Sequence, residues 1–133
     1  MIKYRLVFGL LFFVNPHVFS QNLDETKKNI IKSIENHEEE IIKISDKIWE
    51  LAETAFNEYE SSKLLSDYAE ANGFSLERGV AGMPTAFVAT YGHGRPIISV
   101  LGEFDALPGL SQDTTPTKKP LTEGGNGHGC GHN

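Results

Sequence analysis

The sequence predicts an α/β fold with helices packed on a partial mixed sheet. Two helical patterns come first, three short runs of strand-forming residues follow, and a long polar loop leads to a glycine-rich segment. Helices and strands in such an order pack as layers around one core. With 133 residues, the chain has about the length of one small domain.

The first 20 residues have the pattern of a secretory signal peptide. Lys3 and Arg5 form a basic start, and the apolar run Leu6–Val14 is too short to span a bilayer, which takes about 20 residues. Ser20 is a small residue before the expected cleavage point. The sequence thus predicts an exported protein, periplasmic or secreted, with its domain at 21–133 and no stable membrane association after cleavage. A buried helix or a retained anchor stays open as an alternative.

The apolar spacing predicts two helices. The first, over about 26–55, has apolar residues and one histidine spaced alternately four and three apart, which marks one face of a helix: Ile30, Ile34, His37, Ile41, Ile44, Ile48 and Leu51. The second covers about 61–72, with Ser61 or Ser62 capping its first amides. Gly73 is expected in the left-handed conformation after its last turn.

Three runs after the second helix favour strands. They are a weakly alternating run from Phe74, the run "TAFVATY" at 85–91, and the apolar run "PIISVLG" at Pro96–Gly102. The last is bounded by turns, which is typical of a strand buried on both faces. His93 is expected in a solvated turn. The polar stretch 106–125 is predicted to be a long loop, and loops of that length are often functional.

The charge balance excludes two classes of partner. The chain has a formal net charge of −6, and an acidic surface does not attract nucleic acid or an anionic membrane. We therefore expect no nucleic-acid partner.

Two carboxylates follow the apolar run at Pro96–Gly102. Glu103 and Asp105 are two residues apart, so in an extended segment both side chains point to the same side. Carboxylates at the end of a buried strand in an α/β fold lie where ligands usually bind. Ordinary turn chemistry, which also favours Asp and Pro, is the alternative.

The chain ends with "GGNGHGCGHN", which contains its single cysteine. Cys130 and His132 have side chains that bind zinc and similar divalent ions, and the glycines between them allow a tight backbone. A single cysteine excludes an internal disulfide and a haem-attachment motif. The alternatives are a plain turn at 126–127, surface histidines at 128 and 132, a buried thiol, and a Cys130 nucleophile with His132 as its base.

Together, "GEFDALPGLSQ" and "GNGHGCGHN" resemble the co-catalytic metallopeptidase family, which includes aminoacylases, carboxypeptidase G and the amidohydrolases of indole-acetyl amino acids. The most similar branch is the aminobenzoyl-glutamate hydrolase B-subunit type. The resemblance covers the chain from its first predicted helix onward. It implies the N-terminal part of a zinc-peptidase-like catalytic domain.

The resemblance also implies roles for four residues. Cys130 and His132 match the family's metal ligands, and Asp105 matches the aspartate that supports the metal centre. Glu103 stands where relatives with the commoner motif have a metal-binding histidine, so its role is open. Asn133 stands where many members of this branch have aspartate.

The implied activity is metal-dependent hydrolysis of the amide bond of N-acyl amino acids or small peptides, including aminobenzoyl-glutamate-like molecules. Family enzymes use two zinc or manganese ions and a glutamate base, and they form homodimers through an inserted domain. The base and the insert are expected beyond residue 133, so the 133-residue chain is expected to be inactive alone. The competing hypothesis is a small exported binding or structural domain without catalysis.

Overall fold

The structure, a computed structural model, describes residues 17–133, with side chains from Leu23 onward. Most of the predicted signal peptide, 1–16, therefore lies outside the described residues. The chain divides into two units, 1–38 and 39–133. In the first unit the described residues are helical, and the second unit contains all the other elements. Among the described residues, no helix has the length and apolar character needed to cross a membrane.

Two helices and a two-stranded antiparallel sheet make up the regular structure. In chain order the elements are α1 (His17–Leu51), α2 (Tyr59–Ala71), β1 (Ser75–Arg78), a short 3-10 turn (Val80–Gly82) and β2 (Phe87–Thr90). β1 pairs with β2 so that Ser75 lies opposite Thr90. α2 packs against both strands. This arrangement confirms the predicted α/β class with a partial sheet.

Helix α1 is confirmed, but much of its apolar face is exposed. Ile34 is 61% exposed, whereas Ile48, in the last turn of the helix, is 2% exposed. The helix ends at Leu51 because Ala52 adopts a positive φ of 45°, which no α-helix continues. The core of the second unit therefore gathers around the last turn of α1, where Ile48 and Ala106 are its buried apolar residues.

The start of α2 differs from the prediction, since neither Ser61 nor Ser62 acts as its cap. The helix begins two residues earlier, and the carboxylate of Glu53 accepts its free amides. Glu53 Oε2 accepts the backbone N–H of Ser61 at 2.8 Å and its hydroxyl at 2.7 Å, and Oε1 accepts the N–H of Glu60 at 3.1 Å. An acceptor from outside the helix thus satisfies donors that a helix start leaves free.

The predicted third strand, Pro96–Gly102, is wrong for this chain. Those residues form no strand, and Ile98 and Val100 are 86% and 93% exposed. Strand formers become a strand only beside a partner that accepts and donates backbone hydrogen bonds. Among residues 17–133 no such partner lies along this run. The other two strand predictions are confirmed by β1 and β2, and Gly73 has the predicted positive φ, at 88°.

The long loop 106–125 is ordered by one side chain. The amide nitrogen of Gln112 lies within hydrogen-bond distance of three loop carbonyls, which share its two N–H groups, and its oxygen accepts the backbone N–H of Lys119 at 3.0 Å. Lys119 also pairs with Asp113 at 2.6 Å. The middle of the loop, 112–119, is therefore closed on itself, and the backbone N–H of Ser111, which donates to the carbonyl of Gly125 at 2.9 Å, joins the two sides of the loop nearer its ends.

Replacing Glu53 by Ala should destabilise α2. Burial raises the pKa of Glu53, but the hydrogen bonds from Ser61 and Glu60 outweigh it, so its pKa is below the ordinary value. A lowered folded pKa stabilises the protein above the unfolded pKa, and that contribution is lost as pH falls through the folded pKa. We expect E53A to cost about 1 kcal/mol at pH 7, as for a lost helix cap, and the cost to shrink in acid.

Chemical unfolding of E53A and the wild type at several pH values measures this difference. The matched control is E50A, since Glu50 is exposed and pairs with Lys47 on its own helix. An equal loss in both variants, or a loss for E53A that does not change with pH, would contradict the cap.

Candidate active site

Backbone pairing holds the carboxylate segment in place. The N–H of Ala106 donates to the carbonyl of Glu53 at 2.7 Å, which places Ala106 in a parallel bridge with Thr54. The next residue, Leu107, forms an antiparallel bridge with Gly127, with both N–H···O distances at 3.0 Å. The segment before the long loop is thus joined to the segment after it.

The side chains along 103–105 alternate as predicted. Glu103 and Asp105 both contact His132, and Phe104 between them stacks with Phe87 of β2 at a ring distance of 6.1 Å. Phe104 therefore fixes the segment against the sheet while the two carboxylates face the glycine-rich segment.

His132 lies between two carboxylates. Its Nδ1 is 2.8 Å from Asp105 Oδ1, and its Nε2 is 3.2 Å from Glu103 Oε2. A neutral imidazole carries one N–H, which can serve only one of them. The other nitrogen then presents its lone pair to a carboxylate, a repulsive contact unless a proton or another cation lies between them. The arrangement is therefore a site for positive charge.

The two carboxylates that contact His132 differ in their exposure to solvent. The side chains of His132 and Asp105 are 26% and 24% exposed, whereas that of Glu103 is 64% exposed. The Nδ1–Asp105 contact is the better shielded from water and the shorter. We assign the N–H of His132 to Nδ1, which leaves Nε2 and Glu103 on the accessible side.

The glycine-rich segment is attached to the C-terminal end of α1. His128 Nε2 is 3.0 Å from the carbonyl of Ile48, and Asn126 Nδ2 donates to the carbonyl of Ala52 at 3.2 Å. Asn133 Nδ2 donates to Ser45 Oγ at 3.2 Å. Three side chains of this segment therefore bind one helix end.

The roles of Asn126 and His128 were missed in the sequence, where they were open to interpretation as a turn and a surface histidine. The sequence does contain a signal for these contacts, but it lies at the end of α1, which accepts the hydrogen bonds. The last turn of α1 contains no basic residue and is not followed by glycine, so its carbonyls need donors from elsewhere. The sequence does not say which residues supply them.

Cys130 is not part of the histidine–carboxylate cluster. Its thiol is exposed, and it makes no hydrogen bond or ion pair with Glu103, Asp105 or His132 in the described part of the chain. Within residues 17–133, no three His, Cys, Asp or Glu side chains are placed to hold one ion. The two carboxylates bind opposite nitrogens of the His132 ring, so they do not converge. The structure brings together three of the four predicted residues.

A cavity of about 440 Å³ lies between the last turn of α1 and the long loop. Trp49, Gln112 and His128 are among its lining residues, but neither the two carboxylates nor His132 line it. The cluster around His132, not this cavity, is therefore the candidate site.

The comparisons with known proteins point to one class. No family model matches the chain. It is 43% identical over 114 residues to the B subunit of p-aminobenzoyl-glutamate hydrolase from Escherichia coli (strain K12), a match that covers 84% of this chain and 23% of that protein. Thermostable carboxypeptidases 2 and 1 of Saccharolobus solfataricus are each 34% identical over 113 residues, covering 84% of this chain and 27% of theirs.

These matches confirm the predicted resemblance: over the matched length the chain is similar to members of the amidohydrolase and carboxypeptidase family of hydrolases. Within that family it is similar to the B subunit of p-aminobenzoyl-glutamate hydrolase. The chain spans about a quarter of the length of these relatives.

Replacing Gly127 by Ala should disrupt the bridge to Leu107. A Cβ at Gly127 would lie 2.7 Å from the carbonyl carbon of Leu110 and closer still to its oxygen. Backbone atoms cannot move aside as a flexible side chain would, so we expect G127A to destabilise the fold by about 1–3 kcal/mol. Thermal or urea unfolding measures the change.

The matched control is G102A, because a Cβ at Gly102 has no atom within 4 Å. A G127A variant as stable as G102A would show that the bridge does not need a glycine.

Proposed function

We propose that this chain contributes part of the active site of a metal-dependent amidohydrolase. The substrate class is N-acyl amino acids or small peptides, with p-aminobenzoyl-glutamate as the leading candidate. The 43% identity to a hydrolase named for that substrate supports the choice. The single observation that carries the site is His132, held between Asp105 and Glu103.

The geometry suits His132 Nε2 and Glu103 Oε2 as neighbouring ligands of one divalent ion. Their separation is 3.2 Å. Two ligands at bond lengths of 2.0–2.1 Å around a tetrahedral ion lie about 3.3 Å apart. The donor types also fit, since imidazole nitrogen and carboxylate oxygen both bind zinc and manganese.

Asp105 serves as the positioning residue in this proposal. It accepts the N–H of His132 Nδ1, which fixes the tautomer and the ring orientation and leaves the Nε2 lone pair available. Cys130 is the further ligand proposed from the family motif. Because its thiol is exposed and separate from the cluster here, its part in the site requires the loop to move or the ion to draw it in.

Bound ions of this kind supply an activated water and polarise the amide carbonyl. This chain's own residues orient the ligands and set the charge of the site. The catalytic glutamate base and the remaining ligands are proposed to lie in the part of the protein that corresponds to the other three quarters of the relatives. Two ions per full-length chain, a homodimer and an exported location complete the proposal, and the 133-residue chain alone is proposed to be inactive.

Zinc binding tests the ligand assignment in the chain itself. Two ligands hold an ion weakly, so calorimetric titration with Zn²⁺ should give a modest affinity that falls by about tenfold or more in H132A. The control H93A removes a histidine from an exposed turn and should bind as the wild type does. Equal binding by all three proteins would rule out His132 as a ligand.

Hydrolysis of p-aminobenzoyl-glutamate tests the activity in a protein of the relatives' full length. A strong chelator should abolish turnover, added Zn²⁺ or Mn²⁺ should restore it, and C130S should lower both the bound metal and the rate. Turnover that resists the chelator but is lost on thiol alkylation would favour the Cys130 nucleophile instead. A folded full-length protein with neither metal nor turnover would favour the binding-domain hypothesis.

A further inference from the structure

We infer that His128 is a positioning residue for His132, acting through its hydrogen bond to the end of α1. The inference deepens the proposed function and rests on it, since it concerns the same site. It starts from one contact, His128 Nε2 to the carbonyl of Ile48 at 3.0 Å. A carbonyl only accepts, so Nε2 must carry the hydrogen.

The hydrogen bond joins the glycine-rich segment to a buried residue of α1. Ile48 is 2% exposed and lies in the last turn of α1. His132 follows His128 by four residues, and two of the three residues between them are glycines, one with a φ of 72°. Glycines restrict the backbone least. Without a nearby attachment, this stretch could present the His132 ring in many orientations.

The hydrogen bond contributes little to the helix itself. The carbonyl of Ile48 also accepts the backbone N–H of Ala52 at 3.1 Å. Removing the His128 donor therefore leaves no buried carbonyl without a partner, which is the costly outcome for a helix end. What is lost is the connection between α1 and the segment that carries His132.

The other nitrogen of His128 argues against a role in packing alone. Nδ1 is buried and has no hydrogen-bond partner in the described residues. A buried polar atom without a partner costs stability, so an apolar side chain of similar size would pack there at lower cost. A donor at Nε2 is the property that an apolar side chain lacks.

The test compares H128L, which keeps the volume but removes the donor, with H128Q, whose amide N–H reaches a similar point. H93L is the control, because His93 is exposed and lies outside the glycine-rich segment in the sequence. Three measurements are made on the 133-residue chain: the ¹⁵N signals of the His132 ring without metal, the affinity for Zn²⁺ alone, and the thermal unfolding midpoint.

In the metal-free wild type, the His132 signals should show a hydrogen-bonded Nδ1–H. In H128L they should shift toward a mixture of tautomers, and the Zn²⁺ affinity should fall by about tenfold, as for other residues that orient metal ligands. The unfolding midpoint should change little. H128Q should restore most of the ring signals and of the affinity, and H93L should match the wild type.

Unchanged His132 signals in H128L would overturn the inference, as would a loss in H128L that H128Q does not restore. If H128L does not fold, the comparison of H128Q with the wild type decides: wild-type His132 signals support the role, and altered signals refute it. If the wild type binds no Zn²⁺, the proposed function fails, but the inference is still tested. The metal-free signals show whether His128 fixes the orientation and tautomer of the His132 ring.

Discussion

The bridge between Leu107 and Gly127 is the contact on which the candidate site depends. Two backbone hydrogen bonds of 3.0 Å join segments separated by the long polar loop. Asp105 comes two residues before one side of the bridge, and His132 comes five residues after the other. The bridge therefore brings the carboxylate and imidazole segments side by side, and it forms only because Gly127 has no side chain to meet the backbone of Leu110.

The C-terminal end of α1 is the second support of the same segment. A helix end has carbonyls without intrahelical partners and a partial negative charge, both of which favour N–H donors. Asn126 supplies such a donor to the carbonyl of Ala52. His128 supplies a second donor to the carbonyl of Ile48, which the N–H of Ala52 already serves, and Asn133 binds Ser45 one turn earlier. Ile48 at this helix end is buried in the core, so these bonds attach the glycine-rich segment to a packed part of the fold.

The charges around His132 determine which kind of ligand this arrangement attracts. An acidic protein places two carboxylates around one imidazole, with the accessible one 3.2 Å from Nε2. Such a group attracts a cation, while the shielded Asp105 holds the ring from behind. Cys130, the fourth predicted residue, is exposed and does not join this cluster in the described part of the chain.

Features that depend only on neighbouring residues could be predicted before folding, whereas those that need a distant partner could not. The helical spacing around Ile48, the strand runs of β1 and β2, the left-handed Gly73 and the shared side of Glu103 and Asp105 all follow from local backbone geometry. The paired motifs at the two ends of the long loop also sufficed to predict the family. By contrast, the run Pro96–Gly102 has the residues of a buried strand but no strand beside it among residues 17–133, so it stays exposed. Glu53, not Ser61, accepts the first amides of α2, and His128 binds a carbonyl 80 positions away. A residue pattern states what a side chain can donate or accept, but its partner is selected only when the folded chain brings one within reach.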